Sequence, residues 1–192
     1  MQIEYEATFP DIVKDEIRAR LKTAGAVLER HELLQKRITF NFPKGSEVEG
    51  GWARVRDEGN KITMSIKIVD GNKIENQKEI CITVDNFGQG VLLLKTIGCE
   101  EKAYQETRRE LWTLDSAEVT IDEWPFLKPF VEVEGVSEEA VRNVAGKLGF
   151  DWNTARFCSV GTLYSERYGI PEDVINNGTP RIVFDMDNPF VR

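Results

Sequence analysis

Residues 2 to 9 alternate, with Ile3, Tyr5 and Ala7 on one side of an extended chain and Glu4, Glu6 and Thr8 on the other. This is the period of a β-strand, because successive side chains leave a strand on opposite faces. The same reasoning predicts strands over 34–42, 52–56, 62–69, 78–84, 103–114, 118–122 and 131–134. Asp57 to Lys61 reads as the turn of a hairpin joining 52–56 to 62–69, and Asp70 to Lys73 as the next turn. Pro43 to Gly51 has the Pro, Gly and Ser that loops select.

Elsewhere the period changes to that of a helix. Val13, Ile17 and Leu21 lie about a turn apart within 11–24, and Gly25 follows where a helix end often needs a left-handed residue. Phe87, Val91 and Leu94 mark a second helix, capped by Asp85 and stopping near Gly98. Ser137 caps a third, ending near Gly149, with Glu138 and Glu139 in the first turn where the helix dipole favours acids. A last helix is predicted within 154–168. The elements together predict an α+β fold dominated by an antiparallel eight-stranded β-barrel, a tunnel with flanking helices. At 192 residues one core is expected: a tunnel domain over 1–170, then a C-terminal extension, 171–192, packed on the barrel or partly flexible.

Composition narrows the functions. With 41% hydrophobic and 30% charged residues, the chain has the apolar surface that disordered chains lack. A net charge of −8 argues against broad binding to nucleic acid or anionic lipid, which needs excess Lys and Arg. Cys81, Cys99 and Cys158 lack the spacing of a zinc site or redox pair and fit a reducing compartment. The first residues, MQIEYEATF, have no basic region or apolar run, and no stretch approaches the roughly 20 apolar residues of a spanning helix. A cytoplasmic protein away from the membrane is expected.

The charged strand faces change the picture most. Glu4/Glu6, Arg54/Arg56, Ser65/Lys67 and Glu132/Glu134 are all i, i+2 pairs. Residues two apart in a strand point the same way, about 7 Å apart. Any one such pair is what a solvated sheet carries. Four of them, each opposite an apolar face, predict a shared charged cavity inside the barrel. Carboxylates suit a hard divalent ion such as Mg²⁺ or Mn²⁺, and arginine forks match phosphate oxygens. A metal-bound polyphosphate is the ligand that satisfies both.

The order of these motifs resembles the CYTH, or triphosphate-tunnel, superfamily, and within it the class IV adenylyl cyclase-like proteins, over about residues 2 to 168. Glu4-Tyr5-Glu6-Ala7-Thr8 stands where the family has Glu-x-Glu-x-Lys. Arg54-x-Arg56 and Ser65-x-Lys67 match its Arg-x-Arg and Thr/Ser-x-Lys strands. Thr107-x-Arg109 stands at Lys-x-Arg, Ile121-Asp122 at Leu-Asp, and Glu132-Val133-Glu134 at Glu-x-Glu. The resemblance implies that Glu4, Glu6, Glu132 and Glu134 bind metal with Asp122 beside them. It implies that Arg54, Arg56, Lys67 and Arg109 hold phosphates, Arg108 being the alternative to Arg109. Glu4, Glu6, Lys67 and Arg109 are the expected catalytic set.

The implied function is metal-dependent chemistry on a triphosphate, as a triphosphatase or a cyclase, with a homodimer as the implied assembly. Thr8 and Thr107 replace family lysines, and their neutrality favours binding over turnover. Glu79 is a secondary candidate. The one histidine, His31, reads as solvated, and Trp52, Trp112, Trp124 and Trp152 read as packing residues. Neither Gly50 nor Gly88-Gln89-Gly90 sits in a phosphate-loop motif.

Overall fold

A computed structural model describes residues 1–191. The elements are β1 (Gln2–Ile3), β2 (Tyr5–Phe9), α1 (Lys14–Thr23), β3 (Val27–Asn41), β4 (Gly51–Asp57), β5 (Ile62–Val69) and β6 (Gln77–Val84). There follow α2 (Phe87–Thr96), β7 (Glu100–Leu114), β8 (Ala117–Glu123), β9 (Phe130–Gly135), α3 (Glu138–Lys147), α4 (Val160–Tyr168), α5 (Glu172–Asn176) and β10 (Arg181–Ile182). The sheet runs β1-β6-β5-β4-β3-β7-β8-β9-β2. Because β1 and β2 are one N-terminal strand interrupted at Glu4, the order begins and ends on the same segment. The sheet is thereby nearly closed into an antiparallel barrel of eight strands. At the seam the Glu4 amide donates to the Gln77 carbonyl over 2.9 Å, and Gln77 Nε2 donates to the Glu6 carbonyl over 2.8 Å. One pairing is parallel, between β10 and β7 at Arg181–Tyr104.

The apolar core lies outside the barrel. Ala7, Phe9, Val119, Ile121, Val131 and Val133 leave the outer face of β2, β8 and β9 and pack under α1 and α3, through Ile17, Leu21, Val141 and Val144. Phe40, Ala53 and Val55 do the same beneath Leu94 of α2. With the outer faces holding the fold together, the alternate residues point inward and need not be apolar. A further cluster joins Trp124 and Phe130, at the ends of β8 and β9, to Leu163, Tyr164, Ile175, Ile182 and Phe190 of the C-terminal segment. The outer face of β5 and β6 is bare in part: Ile66, Ile80 and Ile82 are exposed.

Several boundaries differ from the sequence reading. The strand expected at 34–42 begins at Val27, because residues 27–33 pair with β7 across two register shifts, Leu28/Arg30 and Arg30/Leu33, that break the alternation. The cap of α2 is Asn86, whose side chain accepts from the Gln89 amide, not Asp85. The helix expected within 154–168 begins only at Val160; residues 152–154 form a single 3-10 turn. Ser137 caps α3 as expected, accepting from the Ala140 amide.

Gly50 fixes the entry to β4. Its φ is +67°, and a Cβ there would lie 2.0 Å from the Val69 carbonyl oxygen, while its own carbonyl accepts from the Val69 amide at 3.0 Å. Gly50→Ala must move one strand of the β4–β5 hairpin, which costs about 1–3 kcal/mol. A lowered urea midpoint is the expected result, and an unchanged midpoint would show that the hairpin yields freely.

Candidate functional site

Strand parity sends two sets of charges into the barrel. Glu4 and Glu6 come from the N-terminal strand, Asp122 from β8, and Glu132 and Glu134 from β9. In the sheet register Glu6 stands opposite Glu134, and Glu134 opposite Glu118, so like charges are forced together. The other wall is basic: Arg37 from β3, Arg54 and Arg56 from β4, Lys67 from β5 and Arg109 from β7. Ser65 stands between them, opposite Arg54.

The two walls are cross-linked. Lys67 Nζ lies 2.9 Å from Glu4 and 3.1 Å from Glu6. Arg109 Nε donates to Asp122 over 2.7 Å and its Nη2 to Glu132 over 2.5 Å. Arg54 meets Glu79 at 3.0 Å, which draws that secondary candidate into the site. Arg56 meets Glu58 at 2.7 Å, and Thr63 also donates to Glu58. Arg109, rather than Arg108, is the interior member of its pair: the Arg108 side chain is 43% exposed and lies over the Phe184 ring.

The site's proton affinities follow from crowding. Burial pushes Glu4 up to about 8 despite Lys67, with Glu79 and Glu6 adding to the rise. Burial likewise takes Glu134 up to about 7, with the Glu6 charge next in importance, and Glu6 itself is raised by burial against the pull of Lys67. Two acids move the other way. Burial raises Glu79 and Glu58, yet the lowering partners together outweigh it, Arg54 with Glu4, Ser65 and Lys67 for Glu79 and Arg56 with Lys61 and Thr63 for Glu58, and each falls to about 2. Burial, with Arg54 and Arg109 nearby, lowers Arg56 to about 10.

The sequence reading missed Arg37 and Glu58. Arg37 is 4% exposed and donates from Nη2 to Thr107 Oγ1 over 2.6 Å, with its guanidinium 4.6 Å from the Trp124 ring centre. Its signal was its position, two residues after Gln35 and two before Thr39 on one strand face. Glu58 lies just past β4 in a turn, where an acid reads as solvated. Thr8 and Thr107 are both buried in the interior.

The donor chemistry of the acidic wall fits a hard divalent ion, since every donor is a carboxylate oxygen and the acids raise one another by proximity. The cage is not assembled: among the described residues no three His, Cys, Asp or Glu side chains converge as a metal-holding group, and Lys67 and Arg109 take up the facing oxygens.

No curated protein matches the chain in sequence. Solved structures of the same fold include a protein of Pyrococcus horikoshii at 20% identity and TM-score 0.69, covering 85% of this chain and 99% of that one. A candidate adenylate cyclase of Vibrio parahaemolyticus has 12% identity and TM-score 0.72, covering 85% and 98%. A candidate adenylyl cyclase of Hippeastrum with a dominant triphosphatase activity has 13% identity and TM-score 0.55, covering 90% and 99%. The profile of the CYTH domain matches residues 2–151, which span the N-terminal strand, all of β3 to β9 and the helix after them. With that match over most of its length and with this barrel, the chain belongs to the CYTH domain family.

Proposed function

We propose that the protein is a metal-dependent enzyme acting on a triphosphate inside the barrel. The observation that carries this is the segregation of charge in a buried space: carboxylates on the N-terminal strand, β8 and β9 face cations on β3, β4, β5 and β7. A barrel needing only stability gains little from buried ion pairs, whose desolvation offsets most of their attraction. A metal–polyphosphate complex, positive on one side and negative on the other, matches both walls. The Hippeastrum protein's triphosphatase activity and the general divalent-metal dependence of the family point the same way.

In this reading Glu4, Glu6, Glu132 and Glu134, with Asp122 beside them, hold Mg²⁺ or Mn²⁺, which when bound would polarise a phosphoryl oxygen. Arg54, Arg56, Lys67 and Arg109 bind the phosphates and neutralise the charge that spreads over phosphoryl oxygens as the leaving group departs. The cations must first exchange their carboxylate partners for phosphate, which frees those carboxylates. The nucleophile belongs to solvent in a triphosphatase and to the substrate in a cyclase.

Thr8 and Thr107 support a second reading, a module that binds triphosphate with little turnover, since both are buried hydroxyls in place of cations. Three unpaired cysteines keep a reducing, cytoplasmic location within this proposal, and among the described residues no helix is long and apolar enough to cross a membrane. The test is thermal stability with tripolyphosphate, ATP or thiamine triphosphate, each with and without Mg²⁺ or Mn²⁺, followed by phosphate and cyclic-AMP release. A metal-dependent upward shift with product is expected. A shift without product selects the binding module, and no shift with any of the three removes the phosphate reading.

A further inference from the structure

Arg37 differs from every other cation of the interior. Arg54, Arg56, Lys67 and Arg109 each have a carboxylate within 3.1 Å. Arg37, 4% exposed, has no ion-pair partner among the described residues. Among the described residues its single side-chain hydrogen bond runs to the neutral hydroxyl of Thr107, and its Nε has no partner there. The charges that act on it most strongly are of its own sign, Arg56, Arg54 and Arg109, with Asp122 opposing them more weakly. Two residues earlier on the same strand face, Gln35 is fully buried, and neither its Nε2 nor its Oε1 has a partner.

Burying an uncompensated guanidinium is costly, and leaving amide groups unpaired beside it adds to the cost. Such an arrangement is stable on balance only because the outer faces of the barrel hold the fold, and it is relieved when an anion arrives. The planar fork of arginine, with Nε and one Nη open, is the geometry that accepts two oxygens of one phosphate.

We propose that Arg37 and Gln35 form an inner phosphate subsite on β3, with Arg37 as the cation held ready for the ligand and Thr107 as the hydroxyl that holds it in place. The subsite rests on the triphosphate reading above and adds a binding residue to it. In the ligand-free protein the other four cations must give up a carboxylate to bind phosphate. Arg37 gives up none, so its contribution to affinity is undiminished by exchange.

The test compares wild type with Arg37→Met, Arg37→Lys and Gln35→Leu. Calorimetric titration with tripolyphosphate plus Mg²⁺ gives affinity, and melting gives the stability of each ligand-free protein. Arg37→Met is expected to leave the ligand-free melting temperature unchanged or raised, since it removes a buried unpaired charge, while weakening tripolyphosphate binding about 10- to 100-fold. Arg37→Lys, which keeps the charge and loses the fork, should fall between, and Gln35→Leu should weaken binding about threefold to tenfold.

Wild-type affinity in Arg37→Met overturns the subsite while leaving the tunnel reading intact. So does a fall in ligand-free melting temperature with no change in affinity, which marks a structural strut. Should Arg37→Met fail to fold, Arg37→Lys decides, and wild-type affinity in that variant overturns the subsite. A wild-type protein that takes up no tripolyphosphate overturns subsite and tunnel reading together.

Discussion

Arg109→Met is expected to lower the stability of the ligand-free protein by about 3–5 kcal/mol, the largest loss of any single substitution inside the barrel. Asp122 has a side chain with 0% exposure. Its two oxygens are served by Arg109 Nε at 2.7 Å and by Thr120 Oγ1 at 2.6 Å. Without Arg109 the carboxylate keeps only a neutral hydroxyl, and Glu132 loses its cation at the same time. The dominant penalty is therefore the buried charge left behind rather than the lost attraction.

That reasoning has a built-in check. Asp122→Asn in the Arg109→Met background removes the stranded charge and should restore about 1–3 kcal/mol. Urea denaturation of the two single variants and the double variant measures both numbers. A loss under about 1 kcal/mol in Arg109→Met would show that water reaches Asp122 and that the interior is wetter than its burial indicates.

The strands and their inward charges were legible because alternation with period two survives wherever one face is packed and the other is not. Glu4, Glu6, Arg54, Arg56, Lys67, Glu132 and Glu134 all follow that rule, and all face the interior. Alternation failed where a strand bends. Residues 27–33 of β3 pair through shifts between Leu28, Arg30 and Leu33, and each shift moves the next side chain to the other face.

Arg37 was hidden by its neighbour Lys36, because a Lys-Arg pair reads as surface until register places one residue inside. Glu58 was hidden by lying in a turn. The partnerships depend on register across strands distant in sequence, so Lys67 with Glu6 and Arg109 with Glu132 could not be read from spacing. The two short elements after Pro171, a single-turn helix and the two residues of β10, have too few residues to show a period at all. Their place is set by Ile175, Ile182 and Phe190 packing on Trp124.

Between pH 5 and pH 8 the ligand-free protein is expected to become less stable as pH rises. Glu4 is pushed up to about 8 and Glu134 to about 7, from a value of 4.5. In that window the folded state holds protons that the unfolded chain has released, so each pH unit costs about 1.4 kcal/mol for each carboxyl still protonated. Counting the partial exposure of both side chains, the loss across the window is about 3 kcal/mol. Glu58 and Glu79 act with the opposite sign. Held at about 2, they stabilise the fold above pH 4.5 and lose that contribution only as pH falls below it.

Maximum stability is therefore expected near pH 5, well below neutrality, in the protein without ligand. A divalent ion needs the ionised carboxylates, so binding of Mg²⁺ or Mn²⁺ at pH 6.5 should expel about one or two protons, and fewer at pH 8.5. Titration in buffers of different ionisation enthalpy counts those protons, and urea midpoints across the pH range give the stability profile. A flat profile with no proton release would mean that Glu4 and Glu134 are already ionised beside Lys67. A falling profile with proton release places the cost of the acidic wall in the empty protein and its relief in the metal.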